Sequence, residues 1–318
     1  MKKTLIVFLL ALIFTSCDKK SKIEKQVEAI PVDIKVVRFD KAFFETPTND
    51  LKKLKLQFPG FFPPQVEDSV WTNKMNNSLW RELYSEVQKK YSNFEPEKQK
   101  IATLFKHIKY YFPLTKTPKV ITLIYEMDYN TKAIYADSLV LVSLEMYLGK
   151  NHKFYEFPDY QKQNFEPNQI LPDIVSSFSA TKIPNPTDKS LLSQMVFAGK
   201  ELYLKDVLLP EYADNEKIGY TPEQLLFCNE NESYVWRYFI EEKLLYSTDS
   251  KLANRFINPA PFSKFYLEID NETPGRIGTW IGWQIVRAYM KNNSVSVQQM
   301  LTLDATEIFN KSKYKPKK

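Results

Sequence analysis

Cysteine, glycine and histidine are scarce in this sequence, which contains two cysteines, seven glycines and two histidines among 318 residues. His107 and His152 lie far apart, and no H-E-x-x-H segment occurs, so the common helical zinc-hydrolase motif is excluded. The G-x-S-x-G nucleophile motif and the G-x-x-x-x-G-K-[ST] phosphate loop are also missing. The sequence therefore contains no complete catalytic motif, and we predict no metal and no cofactor.

Aromatic residues, in contrast, are abundant: 22 Phe, 19 Tyr and 5 Trp bring the aromatic fraction to 14%. Because 43% of the residues are hydrophobic, the chain can bury a substantial core, and we do not expect disorder. The 44 basic residues nearly balance the 38 acidic ones. A mixed surface of this kind argues against nucleic acid as a partner.

The first 17 residues have the layout of a bacterial lipoprotein signal peptide. A basic start at Lys2 and Lys3 precedes an apolar run over Leu5–Phe14, and two small residues come directly before Cys17. The apolar run is much shorter than the roughly 20 residues needed to span a bilayer. We therefore predict cleavage after residue 16 and lipid attachment to Cys17, which anchors the protein in the cell envelope with its domain in the periplasm.

The remaining chain is predicted to form a tether over residues 17–30 and one globular α+β domain over 31–318. The tether is basic, and it is either a solvated linker or a contact for lipid headgroups. With Cys17 acylated, only Cys228 is left, so no internal disulfide can form. The domain must then be stabilised by its core.

Hydrophobic periodicity places a small sheet in the first half of the domain and helices in most of the second half. The predicted strands are Val32–Phe39, Val120–Tyr125, Ala133–Tyr135 and Leu139–Leu144. The predicted helices run approximately over 68–91, 95–112, 174–183, 191–209, 221–246 and 279–290. Thr221 with Pro222 and Gln224 predicts a capping box at one helix start.

Some side chains allow both a structural and a functional interpretation. Cys228 follows Leu225-Leu226-Phe227, which favours a buried, inert thiol over a nucleophile. His107 and His152 are expected to be surface or structural residues. The residues Glu230, Tyr234, Arg237 and Glu241 share one helix face, which is either a solvated face or a polar cluster at a cleft.

The segment Pro274–Met290 concentrates three of the seven glycines, at Gly275, Gly278 and Gly282. Glycine inside a helix costs about 1 kcal/mol relative to alanine, so Gly282 needs a packing reason. Close approach of another backbone is the favoured interpretation, and a ligand groove is the alternative. Trp280 and Trp283 could belong to the core or to a cleft wall.

Several motifs, taken in their order along the chain, resemble the GldB family of gliding motility lipoproteins. They are the lipoprotein start, Leu192–Met195, Gly199–Tyr203, Leu208–Pro210, Leu245–Asp249 and Pro274–Gly278. The resemblance implies a lipid-anchored envelope protein of the gliding machinery, which is linked to type IX secretion, and it favours the outer membrane over the inner. Its partners would be other gliding or secretion proteins.

The second half also looks like a wider family of zinc-peptidase-like proteins related to GldB. In that family, a helix with H-E-x-x-H precedes a helix bearing E-G. The counterparts here are a segment near Ile174–Lys182, which has no histidine, and the pair Ala198-Gly199, which has no glutamate. The resemblance thus implies a zincin-like scaffold without its metal ligands and a non-enzymatic function. The alternatives are an envelope hydrolase for peptide or glycan that uses Glu230 or Glu241, and a chaperone-like lipoprotein.

Overall fold

A four-stranded mixed sheet and a larger set of helices make up the fold. The computed structural model describes residues 21–317; the predicted signal peptide over 1–16 and Cys17 lie outside the described residues. The strands occur in the order β1-β2-β4-β3, with β1, β2 and β4 parallel and β3 antiparallel to β4. Their bounds are Lys35–Arg38 (β1), Lys119–Leu123 (β2), Ala133–Ala136 (β3) and Leu139–Ser143 (β4). The predicted α+β fold with a sheet in the first half is confirmed.

The described part of the chain contains fifteen α-helices, and they dominate its second half. In chain order they are Lys22–Glu28 (α1), Phe39–Glu45 (α2), Leu51–Gln57 (α3), Asp68–Asn76 (α4), Ser78–Tyr91 (α5), Glu95–Tyr111 (α6), Asp159–Lys162 (α7), Ile170–Ser179 (α8), Leu191–Leu208 (α9), Asp214–Ile218 (α10), Pro222–Glu241 (α11), Lys251–Phe256 (α12), Ile277–Asn292 (α13), Val297–Thr302 (α14) and Ala305–Ser312 (α15).

Helix boundaries follow the local capping chemistry. Thr221 and Gln224 form the predicted capping box at the start of α11: each side chain bonds the backbone of the other residue. The single helix predicted over residues 68–91 is interrupted at Asn77, which has an extended ψ of 130°. Its side-chain oxygen accepts hydrogen bonds from Leu79 and Trp80, so Asn77 caps α5 and separates it from α4.

The first helix revises the expected boundary between tether and domain. Ser21 and Glu24 form a capping box, and α1 packs on α6 with Val27 buried. Lys106 donates to the Glu28 carbonyl at 3.0 Å. Residues 22–28, predicted to be tether, are therefore a docked helix of the domain.

The tightest packing in the described chain joins α9 to α13. Gly199 of α9 faces Gly282 of α13 so closely that a Cβ on either residue would overlap the backbone of the other helix. The favoured interpretation of Gly282, a close backbone approach, is therefore confirmed. Trp280 and Trp283 are buried in the core.

Asp206 fixes the rotation of these two helices relative to each other. Its carboxylate on α9 accepts a hydrogen bond from the Trp283 indole at 2.8 Å and two from Arg287 of α13, at 2.7 and 2.6 Å. The Arg287 guanidinium also bonds Asp214 and lies 3.7 Å from the Trp283 ring centroid. Charge-assisted hydrogen bonds of this kind are stronger than neutral ones, so directional polar bonds hold the helix pair together in addition to its apolar contacts.

Within residues 21–317, the structure shows no helix with the length and apolar character required to cross a bilayer.

Replacing Gly282 by alanine should destabilise the protein although alanine is the better helix former. The added Cβ would overlap the Met195 backbone, and overpacking costs about 1–3 kcal/mol, which exceeds the gain in helix propensity. Urea denaturation followed by circular dichroism measures the change. Gly60→Ala is the matched control because nothing lies within 4 Å of a Cβ there. Equal stability of the two variants would contradict the packing assignment.

Candidate functional site

A polar cavity of about 390 Å³ lies between the sheet edge at β3, helices α8, α9 and α10, and the start of α13. Among the described residues, its charged lining consists of Lys132, Asp173, Glu201, Lys205, Lys217 and Arg276. Ser176 and Ser177 of α8 add hydroxyl groups. The volume suits a small ligand, and the lining is unusually rich in charge for a cavity of this size.

Lys132 and Asp173 form one ion pair of the cavity wall. The Lys132 ammonium lies 2.8 Å from Asp173 Oδ2 and donates to the Asn164 carbonyl at 3.3 Å. The Tyr147 hydroxyl donates to the same Asp173 oxygen at 2.8 Å. Lys132 is only 8% exposed, so this lysine is held in place with its charge compensated.

Glu201 and Lys205, one turn apart on α9, form the second ion pair. Glu201 Oε1 accepts a hydrogen bond from Ser176 of α8 at 2.6 Å and lies 3.2 Å from the Lys205 ammonium. Burial raises the pKa of Glu201, but the charge of Lys205, the Ser176 hydroxyl and the charge of Arg276 outweigh it, and the pKa is lowered from its ordinary value of 4.5. Glu201 is therefore ionised at neutral pH.

Arg276 occupies an unusual backbone position at the entrance to α13. Its φ of 60° lies in the left-handed region, which L-residues other than Asn and Asp seldom adopt. The guanidinium donates to the Ile218 carbonyl and lies 5.6 Å from the Tyr220 ring centroid. Among residues 21–317 it forms no ion pair with a carboxylate.

The two segments that the resemblance to zinc peptidases placed at a metal site belong to α8 and α9, which pack against each other. Ser176 of α8 bonds Glu201 of α9, whereas Ala198 and Gly199 are not among the described residues that line the polar cavity. Gly199, however, serves the contact with α13. Both cavity carboxylates are paired with lysines, and lysine ammonium groups repel a divalent cation. Within residues 21–317, no three His, Cys, Asp or Glu side chains gather as a metal ion would require, so the residues present do not fit zinc.

The other sequence candidates lie elsewhere. Cys228 is buried, as predicted, and burial raises the pKa of its thiol well above the ordinary value. Glu230 and Glu241 are exposed on α11, and Tyr234 is 65% exposed, so their helix face is solvated. Cys17, the predicted lipid attachment site, lies outside the described residues.

His107 and His152 differ from each other in their surroundings. His152 is half-buried, and its Nε2 lies 3.5 Å from a Glu86 carboxylate oxygen. His107, expected on a lysine-rich face, is 8% exposed, and its Nδ1 has no hydrogen-bond partner within the described residues. Burial lowers the pKa of His107, so its imidazole is neutral at physiological pH.

A second cavity, of about 540 Å³, opens at the carboxyl ends of the parallel strands. Its wall is largely aromatic, with Phe39, Phe43, Phe61 and Trp71. Asp40 also lines it but is fully satisfied by bonds from Arg38, Gln88 and Thr122. Lys74, Glu126 and Asp128 also line this cavity, but most of its wall is apolar, so it is a weaker candidate for recognition of a charged ligand.

Glu145 is buried close to the apolar cavity. Its Oε1 accepts a hydrogen bond from the Tyr125 amide at 2.8 Å, whereas Oε2 has no partner among the described residues. Burial raises the pKa of Glu145 to about 7, although backbone amides and the charge of Lys74 act in the opposite direction. The carboxyl group is therefore partly protonated at neutral pH.

Sequence reasoning missed Lys132, Lys205 and Arg276. Arg276 was within the quoted Pro274–Gly278 motif, but its left-handed backbone could not be read from the sequence. Lys205 and Glu201 have the i, i+4 spacing of a helical ion pair. That spacing was the one available signal, and it is common on solvated helices.

The family model described as gliding motility protein GldB matches residues 20–316. The chain belongs to the GldB family. Membership implies involvement in gliding motility, and it confirms the resemblance drawn from the order of the motifs. No curated protein and no solved structure matches this GldB-family chain significantly. The zincin-like relationship therefore stays a prediction.

Glu145→Gln should change the dependence of stability on pH. Because the folded protein holds the Glu145 proton up to about pH 7, against an ordinary pKa of 4.5, stability should fall as pH rises through this window. The difference corresponds to about 3 kcal/mol at most. The variant should lose this decline in urea denaturation at pH 5, 6, 7 and 8.

The matched control is Glu126→Gln, which changes an exposed carboxylate on the wall of the apolar cavity. This control should keep the decline of the unmodified protein. If Glu145→Gln shows the same decline as the control, Glu145 is not the group responsible.

Proposed function

We propose that this GldB-family protein is a lipid-anchored, non-enzymatic component of the gliding motility machinery, linked to type IX secretion. The family match over residues 20–316 is the observation that carries the proposal, because it spans almost the whole described chain. The lipoprotein-like start and Cys17 support the anchor. The domain lies in the periplasm, attached preferentially to the outer membrane.

The polar cavity supports the non-enzymatic part of the proposal. A hydrolytic metal centre needs ligands that can bind a cation, whereas a lysine ammonium group lies beside each of Asp173 and Glu201 and would repel a metal ion. Ser176 donates its hydroxyl hydrogen to Glu201 and has no histidine beside it in the described structure. Such a cavity favours binding over turnover, and the protein would act by holding other components of the gliding or secretion machinery.

Cys17→Ala should release the protein from the membrane and abolish surface spreading of the cells. The reason is that acyl chains contribute about 0.8 kcal/mol per buried CH₂, and more than one chain is needed for stable anchoring. Immunoblots of membrane and soluble fractions measure the release, and colony spreading measures the function. Cys228→Ala, which alters the buried thiol, is the matched control and should stay in the membrane fraction. Retention of both variants would contradict lipid anchoring.

Elemental analysis of the purified protein tests the non-enzymatic proposal. We expect no zinc above background after purification without chelator or added metal, and no hydrolysis of casein or of peptidoglycan. Near one zinc per chain would restore the enzyme interpretation. A hydrolase that acts through exposed carboxylates would instead lose function in Glu230→Gln at normal protein level, and we expect this variant to spread normally.

A further inference from the structure

The guanidinium of Arg276 is the one cation of the polar cavity wall without a carboxylate partner among the described residues. Lys132 and Lys205 are paired with Asp173 and Glu201. Lys217 is paired with Asp206 and Asp214, which also hold Arg287. The cavity wall therefore carries one uncompensated positive charge. An anionic ligand that entered the cavity would meet this charge.

The backbone and the contacts of Arg276 fix where its guanidinium lies. The φ of 60° would suit glycine or asparagine, and a bulkier residue there costs about 1 kcal/mol or more. The bond to the Ile218 carbonyl and the contact with Tyr220 then fix the direction of the guanidinium.

The neighbouring groups select the kind of anion. Glu201 and Asp173 each keep one carboxylate oxygen without a hydrogen bond from the described residues, so they can accept from a ligand N–H. The two negative charges disfavour a dianion such as phosphate. A guanidinium matches the planar fork of a carboxylate, with two parallel bonds. Arg276, Glu201 and Asp173 together therefore fit a ligand that has one carboxylate and an N–H donor close to that carboxylate.

We propose that the polar cavity binds the α-carboxylate of an amino acid or of a peptide C-terminus, with Arg276 bonding the carboxylate and Glu201 accepting from the adjacent N–H. The proposal goes beyond the function proposed above and does not depend on lipid anchoring. The ligand would be held, not cleaved.

Calorimetric titration of the full-length protein in detergent micelles tests this proposal. The probes are L-alanyl-L-alanine, its C-terminal amide, free L-alanine and inorganic phosphate. We expect the dipeptide to bind and its amide to bind at least about tenfold more weakly, since the amide lacks the charge that Arg276 recognises. Tighter binding of the dipeptide than of alanine would identify a peptide end as the ligand, and the reverse would identify a free amino acid.

Arg276→Asn removes the guanidinium and introduces a residue that tolerates the left-handed backbone, so folding should be kept. Binding of the dipeptide should weaken by about tenfold or more. Lys313→Asn is the matched control, because Lys313 is an exposed cation with a left-handed φ of 54°. This control should bind as the unmodified protein does.

The proposal is overturned by equal binding of the acid and the amide, by unchanged binding in Arg276→Asn, by tighter binding of phosphate than of the dipeptide, or by no binding of dipeptide and alanine. The comparison of acid with amide uses the unmodified protein. It therefore decides the question even if Arg276→Asn does not fold.

Discussion

The contact between Gly199 and Gly282 is the constraint on which the second half of the domain depends. Because neither residue has a Cβ, α9 and α13 approach until their backbones touch. The approach brings Asp206 within reach of Trp283 and Arg287, which locks the helix pair. The same contact sets the position of Arg276, at the start of α13, relative to Glu201 and Lys205 of α9. Because all three residues line the polar cavity, the cavity depends on this contact as well. One position without a side chain on each helix thus governs both the packing and the site.

The two cavities differ in the elements that build them. The apolar cavity lies beyond the carboxyl ends of the parallel strands, where open α/β sheets commonly place ligands. The polar cavity lies where helices of the second half meet the sheet edge at β3. The apolar wall is formed by aromatic side chains that also pack against each other, as Phe39 and Phe61 do at 4.4 Å between ring centroids. Charged side chains form a larger part of the wall in the polar cavity than in the apolar one.

The sequence was sufficient to predict the sheet and the longer helices because their signals are local, whereas most of the helices shorter than nine residues were not predicted. The capping box at Thr221, the periodicity of α6 and α9 and the four β-rich runs each depend on residues close together in the chain. The interruption at Asn77 was missed because the apolar period continues through it, whereas the cap depends on a single side chain. The docking of α1 was missed because this helix of seven mostly polar residues has a single buried side chain, Val27, and one apolar position gives no helical periodicity.

The site could be predicted only in part. The order of motifs indicated that α8 and α9 face each other, but the partners of the cavity charges come from distant parts of the chain. Lys132 precedes β3 while Asp173 lies on α8, and no spacing rule connects them. The role of Arg276 depends on a backbone dihedral angle and on Ile218, both of which are fixed by tertiary structure.

If the proposed lipid anchor is present, the docking of α1 on α6 limits how far the domain can stand from the membrane. With the proposed anchor at Cys17 and the helix cap at Ser21, four residue steps separate lipid from folded protein. At a maximum of about 3.6 Å per residue, these steps span roughly 14 Å, less than half the thickness of a bilayer. A domain anchored in this way could not search the depth of the periplasm. Its partners would have to come to the membrane surface, and the side of the domain that carries α1 would stay near the lipid headgroups.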